Sequence, residues 1–295
     1  MTTEVRIVDE IAASLRARIA DIASSIPDGA LGVSVYDYLS GCSWQYDGER
    51  WFHAASTIKV AALAAVFDAI DAGRFSAESR VHVRNRFLSA LDGQPFRVQA
   101  SRDADGDVHA AIGRTMRIAE LARHMIGTSS NLATNLLLDV VGLDEARRAL
   151  ARRGIAGIDL QRGVEDDRAF EAGCSNRVTA DGLVALLRAI RDTELFSPAS
   201  VDAMTEILFD QRFSGGIGPG LPDAVRAVAR VAHKTGDIST VSHDAGLVFL
   251  PGRPPYAIAL LAESPGDAGE RTAALIAASR AVYDAVAAAG ESTCR

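Results

Sequence analysis

Cysteine is scarce in this chain. Its 295 residues hold three, Cys42, Cys174 and Cys294, an odd number at wide spacing. That pattern fits neither a disulfide framework nor a metal site, and reduced thiols are expected. No pair of histidines has ligand spacing with a third ligand nearby, so no zinc or other metal is expected, and no cofactor motif is present. Excess positive charge is also missing. The formal net charge is −7 and the pI about 5.4, which leaves no basic field to hold a polyanion and excludes nucleic acid as a partner. The most apolar run, Val60 to Phe67, is bounded by Lys59 and Asp68 and is far shorter than the roughly 20 residues of a membrane span. The opening Met1-Thr2-Thr3-Glu4 lacks the basic start of a secretory signal, and Asp9 and Glu10 interrupt its apolar stretch. A cytoplasmic protein with no membrane association is the expectation. Repeats, low-complexity tracts and Pro/Ser-rich linkers are absent too, so a single domain is expected.

What is present is an ordinary globular composition, 48% hydrophobic and 23% charged, with material for a sizeable core. Apolar residues at helical spacing (Ile7, Ile11, Leu15, Ile19, Ile22) predict a helix over 5–24, ended by Pro27-Asp28-Gly29. Residues 31–39 alternate as a half-buried strand does, and Ser40-Gly41 turns into a hairpin partner over 42–46. From Ser56 to Ala72 the chain is apolar on nearly all sides, the mark of a helix buried within the protein. The stretch 75–114 reads as irregular, with turns at Asp92-Gly93 and Asp105-Gly106. Helices are predicted over 116–126, 131–141, 144–153, 179–192 and 200–209. Strands follow at 228–234, 244–250 and 256–262, and an Ala-rich helix over 267–288. Strands at both ends with helices between them give an α+β fold. One antiparallel sheet lobe is built from about 1–55 and 205–295, with an all-helical lobe of about 56–204 inserted in it.

Three short motifs carry chemistry. Ser56-Thr57-Ile58-Lys59 opens the buried helix, Ser129-Ser130-Asn131 lies between two helices, and Lys234-Thr235-Gly236 lies on a late strand. Residues i and i+3 share a helix face, so the Ser56 hydroxyl and the Lys59 amine can meet. Serine is a poor nucleophile until a neighbour takes its proton, and lysine can do so only when burial destabilises its ammonium. The helix N-terminus also places backbone N–H groups near Ser56, where developing negative charge is favoured.

The three motifs in this order resemble the signature of class A β-lactamases and penicillin-recognising serine hydrolases. The resemblance extends through 125–138 and through His233 to Val248, and covers about 30–285. It implies a sheet lobe and a helical lobe with the site between them, and a small-molecule substrate. It further implies that Ser56 is acylated, Lys59 relays its proton, and Ser129 protonates the leaving nitrogen with help from Lys234. Asn131 would hold a substrate amide, while Lys234, Thr235 and Gly236 would line a carboxylate pocket. The N–H groups of Ser56 and Asp237 would form an oxyanion hole.

Two departures stand out. Ser130 replaces the family's usual aspartate. The family's Glu-x-x-Leu-Asn deacylation motif is missing from 162–176, where Glu165, Asp166, Asp167 and Glu171 are the available acids, Glu165 and Asp166 being the leading candidates. Asp237 also brings an anion close to the carboxylate pocket. His233 and His243 invite a Ser–His reading, but a histidine on a strand beside Lys234 is expected to be packed. Gly215 to Gly220 follows a helix, contains Pro219 and lacks the context of a phosphate loop; it reads as a loop bordering the site.

The chain therefore reads as a serine hydrolase of an amide, ester or β-lactam, with esterase or acyltransferase work on a small metabolite left open. A non-catalytic binding protein of the same fold is the second class, which the intact Ser56, Lys59, Ser129 and Lys234 disfavour. A glutaminase-type amidohydrolase would not predict Lys234-Thr235-Gly236. Substrate and oligomeric state are not legible in the sequence.

Overall fold

The computed structural model describes the backbone of residues 3–293 and the side chains of residues 10–290. The side chains of Glu4, Ile7 and Asp9, and Cys294 as a whole, lie outside the described residues. Five strands form one antiparallel sheet in the order Arg230–Ile238, Val241–Phe249, Tyr256–Glu263, Ala30–Asp37, Ser43–Tyr46. The sheet thus draws on both ends of the chain, as the α+β reading expects.

Side-chain alternation sorts the sheet's two faces. Leu31, Val33, Ile258 and Leu260 pack with Leu15 and Ile19 of the N-terminal helix (Thr3–Ser24) and with Leu275 and Val282 of the C-terminal helix (Ala268–Thr293). Ala245, Leu247, Ala257 and Leu261 face the second core, which the helical region fills. Being covered on both sides, Tyr256–Glu263 reads as a continuous apolar run rather than an alternating one. Each large side chain so buried contributes about 1.5–3 kcal/mol.

The helix Ile58–Asp71 runs through the helical core with twelve buried residues. Asp68 is held there by Arg152 and Arg153, at 2.8 and 2.6 Å. Around it stand the helices Ile118–Gly127, Asn131–Val141, Leu143–Arg152, Ala180–Ile190 and Pro198–Phe209.

Three local expectations are corrected. The stretch 75–114 is not structureless: Arg80–His82 pairs with Thr115–Arg117, and Phe87–Leu88 with Pro95–Phe96. Asp105-Gly106 opens a short helix, Gly106–Ala110, because the Asp105 carboxylate caps it. The edge strand runs past Lys234 to Ile238, so the whole Lys234-Thr235-Gly236 motif is sheet. Among the described residues one helix, Ala268–Gly290, is long and apolar enough to cross a membrane by length and composition. It was not legible as such because its apolarity is spread over alanines, and Ala274, Ala278 and Ala281 bury its inner face on the sheet.

Candidate active site

The nucleophile candidate sits on a tight turn. Ala55–Thr57 forms a single 3-10 turn that continues into the helix Ile58–Asp71. Ala55, the residue before Ser56, has φ +44°, a left-handed conformation that costs a non-glycine residue about 1–3 kcal/mol. Thr57 Oγ1 donates to the Ala54 carbonyl at 2.6 Å, and Ala54 N–H donates to the Asn176 carbonyl at 2.9 Å. Of the five non-glycine residues with left-handed φ among the described residues, Ala55, Ser129 and Glu165 line one cavity. Strain concentrated where chemistry is expected is the pattern of a preorganised site.

Lys59 is wholly buried. Its Nζ donates to the Ser129 carbonyl at 2.5 Å, to Ser129 Oγ at 3.0 Å and to Asn131 Oδ1 at 2.8 Å. Burial pushes its pKa down from 10.5 to about 7, with the Asp103 and Glu165 charges opposing the fall. Near neutral pH much of the amine is therefore uncharged. In that form it offers a lone pair, and the Ser129 hydroxyl can donate to it.

Asp103 accounts for the serine at position 130. Its carboxylate accepts from the Asn131 N–H at 3.1 Å, the Leu132 N–H at 2.9 Å and Ser130 Oγ at 3.3 Å. An anion from another segment thus holds the N-terminus of Asn131–Val141, and Ser130 itself caps Ala133 N–H.

The loop before Asp167–Glu171 separates the four candidate acids. Glu165 Oε1 accepts from Asn131 Nδ2 at 2.8 Å and Oε2 from the Gln99 N–H at 2.9 Å. Asn131 therefore bridges Lys59 and Glu165 through the two ends of one amide, and its Nδ2 faces the carboxylate rather than open cavity. Asp166 turns the other way: it accepts from Ser89 Oγ and the Ala90 N–H, both at 2.8 Å, and caps Ala169 N–H. It does not line the cavity, so its expected catalytic place is corrected to a structural one. Asp167 lines the rim but is paired with Arg102 at 2.7 Å, and Glu171 lies outside the lining.

Two asparagines that the sequence reading passed over hold this loop. Asn135 Nδ2 donates to the Val164 carbonyl, and its Oδ1 accepts from Val164 N–H, both at 2.8 Å. Asn176 does the same for Gln161 and Arg162. The spacing of Asn131 and Asn135, one helical turn apart, was the available signal.

On the facing wall, Lys234 is fully buried and its Nζ donates to the Thr235 carbonyl at 2.8 Å. Burial, and next the Lys59 charge, hold its pKa well below the usual lysine range, partly offset by Asp244. A Cβ on Gly236 would stand 3.0 Å from Ser56 N and 3.1 Å from Thr57 N. The missing side chain is what lets the strand reach the nucleophile turn. Gly236→Ala is expected to lower the acylation rate by on the order of a hundredfold, the typical cost of one misplaced oxyanion donor, and stopped-flow acylation measures it.

His233 donates from Nδ1 to buried Asp244 Oδ1 at 2.7 Å, and Asp244 Oδ2 accepts from Ile217 N–H. His243 faces the Ser242 and His53 carbonyls at 2.8 and 2.9 Å. Burial pushes its pKa to about 4, so the ring is neutral and only one of those carbonyls receives its proton. Asp105, Asp107 and His124 have spacing compatible with a metal, but none lines the cavity, and Asp105 already bonds His124 and Thr128.

The cavity is about 600 Å3, and Ser56, Ser129, Asn131, Glu165, Thr235, Gly236 and Asp237 all line it, with Lys59 and Lys234 buried beside it. A serine hydroxyl, two weakly basic amines and a carboxylate are thus gathered at one pocket.

The chain is similar to known proteins over most of its length. A family model described as "Beta-lactamase enzyme family" matches residues 14–286. A β-lactamase of Bacteroides uniformis is 28% identical over 268 residues, covering 87% of this chain and 86% of its own. The solved structure of PBP-A is 27% identical with a TM-score of 0.78, covering 92% of this chain and 95% of its own. A mutant of PBP-A, solved as an acyl-enzyme complex with penicillin G, is 27% identical with a TM-score of 0.76, over 92% and 96%.

Proposed function

Because the chain belongs to the β-lactamase enzyme family, we propose that it is a serine hydrolase that opens β-lactams and related amides through an acyl-enzyme on Ser56. The observation that carries this reading is the unbroken chain from Ser129 through Lys59 and Asn131 to Glu165. It joins a base for acylation to a base for deacylation. The acyl-enzyme solved with penicillin G for a mutant of the related PBP-A supports the chemistry.

The neutral Lys59 amine takes the Ser56 proton as Oγ attacks the carbonyl. The oxyanion forms against the N–H groups of Ser56 and Asp237. Ser129 gives its proton to the leaving nitrogen as the C–N bond breaks, and Lys59 returns a proton to Ser129. Glu165 then takes a proton from water, the hydroxide attacks the ester, and Ser56 leaves with the proton. Lys234 and Thr235 recognise the leaving half.

Turnover of nitrocefin tests this reading, and its pH dependence tests the role of Lys59. The acylation rate is expected to rise about tenfold per pH unit below an inflection at about 7 and to level off above it. A flat profile from about pH 5 to 9 contradicts Lys59 as the base. Stability follows the same group. Between about 7 and 10.5 the unfolded chain binds the proton that folded Lys59 has lost. Stability from this site is therefore full above pH 10.5 and is lost as the pH falls to 7.

A further inference from the structure

Arg162 is a buried cation that forms no ion pair among the described residues. It is 7% exposed and lines the same cavity as Ser56. Its Nε has no hydrogen-bond partner, and the side chain makes one hydrogen bond, from Nη1 to the Gly163 carbonyl at 3.1 Å. Among the described residues no carboxylate pairs with it. The two acids whose charges reach it are bonded elsewhere, Asp166 to Ser89, Ala90 and Ala169, and Asp167 to Arg102. A buried guanidinium without an ion pair is costly, and it persists where something else repays that cost.

The guanidinium is also held in place. The Asn176 amide clamps its backbone at both ends, at 3.0 Å each, and the Phe170 ring covers it at 5.0 Å. Beside it, His53 Nδ1 accepts from the Ala55 N–H at 3.0 Å, which fixes the ring proton on Nε2 as a further donor. The opposite strand carries the reverse charge. Asp237 lines the cavity, and among the described residues its carboxylate accepts one hydrogen bond, from Ser242 Oγ at 2.8 Å.

The two walls serve different halves of the substrate. Ser129 protonates the leaving nitrogen, so the leaving half lies towards Ser129 and Lys234. The acyl half stays on Ser56 and must face Glu165, which shares the 160–176 loop with Arg162. Resting on the acyl-enzyme reading of Ser56, we propose that Arg162 is an anion subsite for the acyl half, so that preferred substrates carry a carboxylate on the acyl side chain. A guanidinium offers a fixed fork of donors that matches a carboxylate, and His53 Nε2–H completes the set.

Two measurements test this. Carbenicillin differs from benzylpenicillin by one carboxylate on the acyl side chain, so the ratio of their kcat/KM values reads the subsite. The ratio is expected to favour carbenicillin by at least about tenfold. It should collapse towards one in Arg162→Gln and be largely kept in Arg162→Lys, which retains the charge. Binding is measured separately, by calorimetry on unreacted protein, with phenylmalonic acid monoamide against phenylacetamide. At least about tenfold tighter binding of the acid, lost in Arg162→Gln, is the expected result. Equal binding of the two amides, or a preference unchanged in Arg162→Gln, overturns the subsite. If the acid binds preferentially through Arg162 while neither penicillin acylates the protein, the subsite stands and the β-lactam reading of Ser56 fails.

Discussion

Glu165→Gln is expected to accumulate a stable acyl-enzyme with penicillin G. Acylation uses Lys59 and Ser129, which the substitution leaves in place. Deacylation needs a carboxylate that can take a proton from water. Removing a general base typically costs about 10²–10⁴-fold, enough to convert turnover into a single burst of nitrocefin colour followed by near silence. The variant also tests the loop. Glu165 accepts two N–H donors, from Asn131 and Gln99, and a glutamine can accept only through its one carbonyl. One donor then faces an NH2 group, at about 1–3 kcal/mol, so a lower melting temperature should accompany the trapped ester. A burst with wild-type deacylation would remove Glu165 from the mechanism and return attention to Asp167.

Ser56→Ala is expected to abolish both steps. Loss of the nucleophile in a serine hydrolase lowers kcat by about 10⁶-fold, and no covalent adduct can form. The change should be mild structurally, because the turn is held by Thr57 Oγ1, the Ala54 N–H and the approach of Gly236. Circular dichroism and a melting curve near those of wild type would show that the effect is chemical.

Much of this was legible in the sequence, and for physical reasons. Lys59 lies three residues beyond Ser56 on a helix with almost no polar face, so both its position and its lowered pKa followed from spacing and burial. The sheet followed from alternation in Ala30–Asp37 and from three apolar runs near the C-terminus. What was not legible depends on contacts between distant segments. Asp103 reaches Asn131 and Leu132 from 28 and 29 residues away, and no spacing rule announces that a loop carboxylate makes good the aspartate replaced by Ser130. Glu165 and Asp166 are adjacent acids with equal claims on paper. The left-handed φ of +62° at Glu165 turns one into the cavity and leaves the other to cap Asp167–Glu171. Asn135 and Asn176 looked like ordinary polar residues until their amides met the backbone at 164 and at 161–162. The unpaired Arg162 was hidden in the same way, since the surrounding acids invited the assumption of ion pairs.

The most direct test of the central claim is intact-mass spectrometry of Glu165→Gln protein quenched in acid after incubation with penicillin G, followed by peptide mapping. The account predicts one equivalent of added penicilloyl mass, located on Ser56 and absent from a Ser56→Ala, Glu165→Gln double variant. An adduct on any other residue, or equal labelling of the double variant, would contradict it.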